Sequence, residues 1–233
     1  MEVSFGQPML KAKLIRRYKR FLVDVELEDG SVMTAYCPNT GAMTGCAEGG
    51  WNVWLSKSHS STRKYPYTWE LVETDKGLVC IHSVLANKIV AAALNQNAVT
   101  ELQDYSEIRA EVPYGGEGSR VDFLLSGKGK CYVEVKSVTL LRSGGLGAFP
   151  DAVSSRGAKH LRELMTVKAE GHRAVLFFCA LHTGIDRMTV ADDIDKIYGD
   201  TLRQAVRAGV EILAYGCEIT HKGVGLSQSM EFH

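Results

Sequence analysis

The sequence predicts an α+β chain in two domains: a small β-barrel, then an α/β sheet covered by helices. Three observations carry that prediction. Up to residue 82, apolar and polar side chains alternate over short runs broken by turn residues. From Ser83 the texture changes to alanine- and leucine-rich helical stretches separated by strand-like runs. The length of 233 residues also exceeds the roughly 150 of one ordinary domain. The domains are therefore placed at 1–82 and 83–233.

In the first domain, Phe21, Val23, Val25 and Leu27 alternate with Leu22, Asp24, Glu26 and Glu28, the period of a half-buried strand. Asp29-Gly30 supplies a hairpin turn, and residues 31–37 return as the next strand. A turn-rich loop follows, Pro38-Asn39-Thr40-Gly41-Ala42-Met43-Thr44-Gly45. Residues 51–56, 67–73 and 78–82 are further short strands. So many short strands in so little chain fit a closed barrel of the OB type.

In the second domain, residues 83–95 form a helix with Ser83 as its N-cap. Three strands follow at 108–112, 120–125 and 130–138, and then a loop at 142–148 carrying Gly144, Gly145 and Gly147. Residues 153–169 make a helix with Leu161, Leu164, Met165 and Lys168 on one face and Gly171 beyond its end. The apolar run RAVLFFCAL at 173–181 has the signature of a strand covered on both faces. A helix at 194–208, closed by Gly209, leads into a last strand at 210–219.

Composition removes several classes. An apolar fraction of 45% and a charged fraction of 23% are those of a globular chain, not a disordered one. No run approaches the roughly 18 apolar residues of a membrane span. The start MEVSFGQPMLKAKLIRR has an acid at position 2 and no apolar core, so no secretion signal is expected and the location expected is cytoplasmic. With 27 basic and 27 acidic side chains the net charge is zero, which argues against coating nucleic acid by bulk charge but not against a local stripe. The six cysteines include no C-x-x-C pair, and Cys80, Cys131 and Cys179 sit among apolar neighbours as reduced core thiols.

The sharpest constellation is the hairpin SRVDFLLSGKGKCYVEVKSV. Glu134 and Lys136 are two apart and project from one face of their strand. With the turn centred on Lys128, Asp122 stands opposite Glu134, and two facing carboxylates destabilise a sheet unless something lies between them. A divalent cation, Mg²⁺ or Mn²⁺, fits that position, with Lys136 set to orient an attacking water. Asp122, Glu134 and Lys136 are thus the candidate catalytic residues, the first two also metal ligands. The alternative is an ordinary strand with charges on its solvent face. Asp followed by Glu-x-Lys on the next strand resembles the active-site pattern of the PD-(D/E)xK nuclease superfamily. Two departures stand out: Val121 replaces the usual proline, and the preceding helix offers Asn87 where many members carry an acid. Glu111 is a possible substitute.

Two basic clusters complete the candidates. Arg156, Lys159 and His160 are spaced to share a helix face and to grip a nucleic-acid backbone, with His160 alternatively an orienting group near the metal. In the barrel, Lys11, Lys13, Arg16, Arg17, Lys19 and Arg20 fall close together with Tyr18 and Phe21 among them; Arg63, Lys64 and Tyr65 follow. Basic side chains beside aromatic platforms suit nucleic acid. The tryptophans Trp51, Trp54 and Trp69 fit either platforms or barrel core. Gly41 to Gly45 lacks the Gly-Lys-Ser/Thr of a phosphate loop, and Cys179-x-x-His182 lacks further zinc ligands.

Several stretches carry a family likeness: LIRRYKRFLVDV, CPNTGAMTGC, RKYPYTWEL, SRVDF with YVEVKSVTL, FPDAVSSRGAKHLREL and GVEILAY. By these the chain resembles the sugar fermentation stimulation protein A (SfsA) family from end to end. The resemblance implies an OB-like barrel joined to a PD-(D/E)xK restriction-endonuclease-like domain, with Asp122, Glu134 and Lys136 at the nuclease-type positions. It also implies non-specific DNA binding and a regulatory link to maltose metabolism in bacteria. Two functions compete: a DNA-binding regulator, and a working Mg²⁺-dependent nuclease.

Overall fold

The structure, a computed structural model, describes residues 2–6, 8–58, 60 and 62–233. A short strand, β1 (Val3–Ser4), precedes β2 (Leu10–Tyr18), β3 (Leu22–Glu26), β4 (Val32–Tyr36), β5 (Asn52–Lys57), β6 (Tyr67–Thr74) and β7 (Gly77–Cys80). Strands β2 to β7 form one sheet in the order β4-β3-β2-β5-β6-β7, and a parallel bridge from Tyr36 to Thr68 closes β4 onto β6. Inward-facing Val23, Val25, Val53, Leu55, Trp69 and Val72 fill this barrel. Trp69 is core, and its indole N–H donates to the Leu71 carbonyl at 2.8 Å. Trp54 faces outward into the junction with the second domain and stacks on His221 at 4.2 Å between ring centroids.

The second domain contains α1 (Leu85–Asn95), β8 (Glu107–Tyr114), β9 (Ser119–Ser126), β10 (Cys131–Val138), β11 (Leu140–Leu141), β12 (Leu146–Phe149), α2 (Ser155–Ala169), β13 (Arg173–Ala180), β14 (Arg187–Val190), α3 (Lys196–Arg207), β15 (Glu211–Ile219) and β16 (Gly223–Ser229). The large sheet runs β1-β16-β15-β13-β10-β9-β8, with β10, β13 and β15 parallel. Alternation along the strands divides the core. Val133, Val135, Val175 and Phe177 pack with α1 on one face, while Tyr132, Leu176 and Phe178 pack with α2 and α3 on the other. Glu134 and Lys136 follow the parity of Tyr132 and so face α2.

Two of the helices, α2 and α3, start where side chains satisfy their free amides. Ser154 caps α2 by accepting from Gly157 N at 3.0 Å, and Asp195 caps α3 by accepting from Tyr198 N at 2.9 Å. Ser83 does not cap α1, which follows Val84 with no side-chain cap.

Two further features differ from the sequence expectation. Val3 and Ser4, expected in the barrel segment, pair with Val224 and Gly223 in the large sheet. The loop expected at 142–148 overlaps a small sheet of β11, β12 and β14, whose strands of two to four residues carry too little periodicity to read. All six cysteines are buried free thiols. Among the described residues, no helix is long and apolar enough to cross a membrane.

Main-chain pairing joins the domains: Cys80 N donates to Leu181 O at 2.9 Å and Thr183 N to Leu78 O at 3.0 Å. The turn-rich loop after β4 makes a second junction. Met43 N donates to Asp151 Oδ2 at 3.2 Å, and Cys46 Sγ lies 3.7 Å from Thr139 O.

Candidate active site

The β9–β10 hairpin turns around Lys128, pairing Leu125 with Cys131, Leu124 with Tyr132 and Phe123 with Val133. One more step would set Asp122 against Glu134, and there the ladder stops. Asp122 Oδ2 instead accepts from Val135 N at 2.7 Å, so the carboxylate takes the amide that the neighbouring strand would have taken. On its other side β8 is also interrupted. Ala110 pairs with Phe123 and Val112 with Val121, while Glu111 between them adopts a positive φ of 54°. Asp122 thus sits where both neighbouring ladders open. From α1, Asn87 Nδ2 donates to Asp122 Oδ1 at 2.6 Å.

Glu134 is only 2% exposed. Its Oε1 accepts from Lys136 Nζ at 2.7 Å and is in close contact with His160 Nδ1 from α2. Lys136 Nζ lies 3.3 Å from the same imidazole nitrogen, and Arg156 Nε lies 3.3 Å from His160 Nε2. Glu134 Oε2 is buried without a partner, as are the hydroxyls of Tyr114 and Tyr198. Burial, then the Glu134 charge, pushes both phenols well above their usual range.

The two carboxyls are driven apart. Burial raises Asp122 above the usual carboxylate range and the Glu134 charge adds to it, outweighing Val135 N, Asn87 and Lys136. Burial also pushes Glu134 up, but the contacts with His160 and Lys136 prevail and hold it below its usual range.

The other candidates divide by what their heads touch. Arg17 donates to the carbonyls of Arg20, Asn39 and Gly41 at 2.8, 2.8 and 3.0 Å, so it fastens the loop rather than offering a free charge. Arg16 pairs with Asp24 at 3.0 Å and lies over Tyr18. Arg63 covers Tyr36 and donates to Thr68 Oγ1 at 3.2 Å, while Lys64 covers Tyr65. Lys159 Nζ donates to the Glu117 carbonyl, and His160 is 5% exposed. The helix face expected to grip a backbone is therefore split, with only Arg156 exposed on it. Lys19 and Arg20 form the tip of the β2–β3 hairpin, their side chains exposed. Tyr114 and Tyr198 escaped the sequence reading: Tyr114 precedes the Gly115-Gly116 turn and Tyr198 lies in the first turn of α3, and neither context hints at a buried, unpaired hydroxyl.

A closed five-stranded OB-type barrel followed by a restriction-endonuclease-type α/β domain defines the class of this chain. Residues 15–81 match the model of the SfsA N-terminal OB domain, and residues 84–223 match the sugar fermentation stimulation protein RE domain. A sugar fermentation stimulation protein homolog of Marinomonas sp. (strain MWYL1) is 52% identical over 231 residues, covering 98% of this chain and 89% of that protein. One from Histophilus somni (strain 2336) is 56% identical over 207 residues, covering 88% and 87%. The solved structure of Pyrococcus furiosus SfsA in complex with Ca²⁺ superposes with a TM-score of 0.88 at 26% identity, covering 100% of this chain and 98% of that one. The chain belongs to the SfsA family.

Proposed function

We propose that this chain binds DNA without sequence preference and hydrolyses its phosphodiester bonds at a divalent-cation centre held by Asp122 and Glu134. The observation that carries this reading is Glu134 Oε2, a carboxylate oxygen buried without a partner in a pair whose charges repel. A hard cation fits such a donor set. Mg²⁺ in particular is commonly held by one or two carboxylates, with water and phosphate oxygens completing its shell. That the Pyrococcus furiosus relative was solved in complex with Ca²⁺ supports a hard divalent cation as the ligand class. When bound, a cation of this kind polarises a phosphate and lowers the pKa of a coordinated water.

The chain's own groups do the rest. Val135 N and Asn87 fix the Asp122 carboxylate from both sides. Lys136, held by Glu134 on the α2 face, is placed to orient the attacking oxygen. His160 anchors Glu134 from the opposite layer, and Arg156 beside it steadies a neighbouring phosphate.

A second reading, DNA binding without cleavage in the service of sugar (maltose) regulation, is favoured by one feature. Lys136 and His160 both converge on Glu134 Oε1, a cluster that already compensates its own charge. The two readings separate when pure protein is incubated with supercoiled, linear and single-stranded DNA in Mg²⁺, Mn²⁺ or EDTA. Lys136→Ala is expected to lower cleavage at least a hundredfold while DNA affinity stays within about twofold, because affinity comes from many distributed phosphate contacts. Equal cleavage by an identically purified Lys136→Ala assigns the activity elsewhere, and no cleavage by the wild type selects the binding reading.

A further inference from the structure

We propose that the groove between barrel and α/β domain is a track for a single nucleic-acid strand, which stacks an unpaired base on Phe21 and is gripped by Arg20 and Arg156. The proposal rests on the phosphodiester reading of the Asp122–Glu134 centre and names the form of its substrate.

Two adjoining cavities make the groove. One, of about 160 Å³, begins at Ser137 and Val138, directly after Lys136 on β10. The other, of about 480 Å³, reaches Arg20 on the barrel and Ser154 at the start of α2. They share Thr40, Gly41, Phe149 and Asp151, so the two adjoin along the crease between the barrel loop and the segment that leads into α2. Its floor is where the domains touch. A Cβ on Gly41 would lie 2.6 Å from Asp151 Oδ2, and the Met43 N–Asp151 bond ties the same loop down. The groove is thus a built crease.

Its barrel end has the chemistry of a strand contact. Lys19 and Arg20 turn the β2–β3 hairpin with φ of 49° and 63°, a left-handed conformation in which side chains other than glycine are strained. The strained turn carries two cations outward with Phe21, which is 46% exposed, beside them. The neighbouring arginines are engaged, Arg16 by Asp24 and Arg17 by loop carbonyls, whereas the Arg20 head has no carboxylate partner among the described residues. Across the groove, Val153 is 77% exposed and leads into α2, whose first turn holds no acid and presents Arg156. Arg20 on the barrel wall, with Phe21 next to it in the chain, and Arg156 two residues beyond Ser154 on the opposite side suit alternating phosphates and bases. The ring discriminates form, because only a base outside a duplex stack can lie on it. The larger cavity falls in the range that accommodates a small ligand, about 300–1,000 Å³, the scale of a nucleotide unit.

The test is fluorescence anisotropy in EDTA, where no metal-dependent cleavage occurs. The probes are a labelled oligothymidine of about 20 nucleotides, an abasic strand of equal length and a duplex of equal length. Phe21→Ala is expected to weaken oligothymidine binding roughly 5- to 100-fold, leave the abasic strand and the duplex within about twofold, and be rescued by Phe21→Trp. Arg20→Glu with Arg156→Glu is expected to weaken both single strands and flatten their salt dependence. Unchanged oligothymidine affinity in Phe21→Ala, or an equal loss on the abasic strand, overturns the track. So does wild-type preference for the duplex. The same pattern in a protein that cleaves nothing removes the hydrolysis reading and leaves the track standing.

Discussion

Glu134 and Glu163 lie between α2 and the large sheet at the same depth, each 2% exposed, yet they live in different company. Glu163 accepts from Gly116 N at 3.0 Å through one oxygen and from Glu117 N at 2.7 Å through the other. The β8–β9 turn closes so tightly on it that a Cβ on Gly115, at φ 66°, would fall 1.6 Å from Glu163 Oε2. Lys159 and Arg162 fasten the same turn from outside. Glu134 faces side chains instead of amides, and one of its oxygens has no partner. The same division separates two buried histidines. His182 accepts from Gly184 N at 3.0 Å, while His160 meets a carboxylate. Burial alone does not distinguish these carboxylates; incomplete satisfaction does.

The comparison is broken or sharpened by removing one member at a time. The largest stability effect is expected at Glu163→Ala, which strips the acceptor from two amides and should cost about 3 kcal/mol. In a chain of this size that is a fall of roughly 6–12 °C in melting temperature. The fall should be the same with and without Mg²⁺.

Asp122→Asn comes next. Divalent cation at a hundred times its Kd should stabilise the wild type by about 2.7 kcal/mol, and this gain should largely vanish in the variant. The cation-free protein is expected to move the other way. A carboxyl held above its ordinary value loses stability as pH rises from about 3.8 through its raised folded value. Asp122→Asn removes that loss, so the variant should melt slightly higher than wild type at neutral pH in EDTA. Glu134 has the opposite sign: its stabilisation is present above about 4.5 and fades as pH falls through its lowered value. Melts across pH in EDTA read both limbs. A cation-free loss at Asp122→Asn as large as that of Glu163→Ala would erase the distinction drawn here.

His182 should give the smallest change. Burial pulls its imidazole down to about 4, so the unfolded chain binds the extra proton between about 4 and 6.5. Its contribution is full above 6.5 and fades as pH drops through that window. His182→Asn, which keeps an acceptor for Gly184 N, should flatten this slope and leave stability at pH 7.5 nearly unchanged. Chemical denaturation at several pH values checks it.

Much of this was legible in the residues. The Gly127-Lys128-Gly129 turn fixed the hairpin register, and the two-residue spacing put Glu134 and Lys136 on one face. The unbroken apolar run of β13 announced a strand covered on both sides. What escaped is long-range or concerns partners. Nothing local in Val3-Ser4 points to β16, and strands as short as β11 have no period. The spacing of Arg156, Lys159 and His160 gave a shared face but not its surroundings. His160 turned into the sheet, and Lys159 found a carbonyl. Arg17 likewise reads as a free cation, because a sequence shows charges and not the carbonyls that surround them.

The pairing of β1 with β16 sets an order on biosynthesis. Val3 leaves the ribosome far ahead of its partner Val224, by an interval of roughly 10–45 s at ordinary rates of translation. By then the strands of the barrel have all emerged and can fold as a unit. The barrel strands can therefore pair while β1 is still without its partner strand. The loop around Met43 must wait for Asp151, and this edge of the large sheet is sealed only once residues 223 and 224 have emerged.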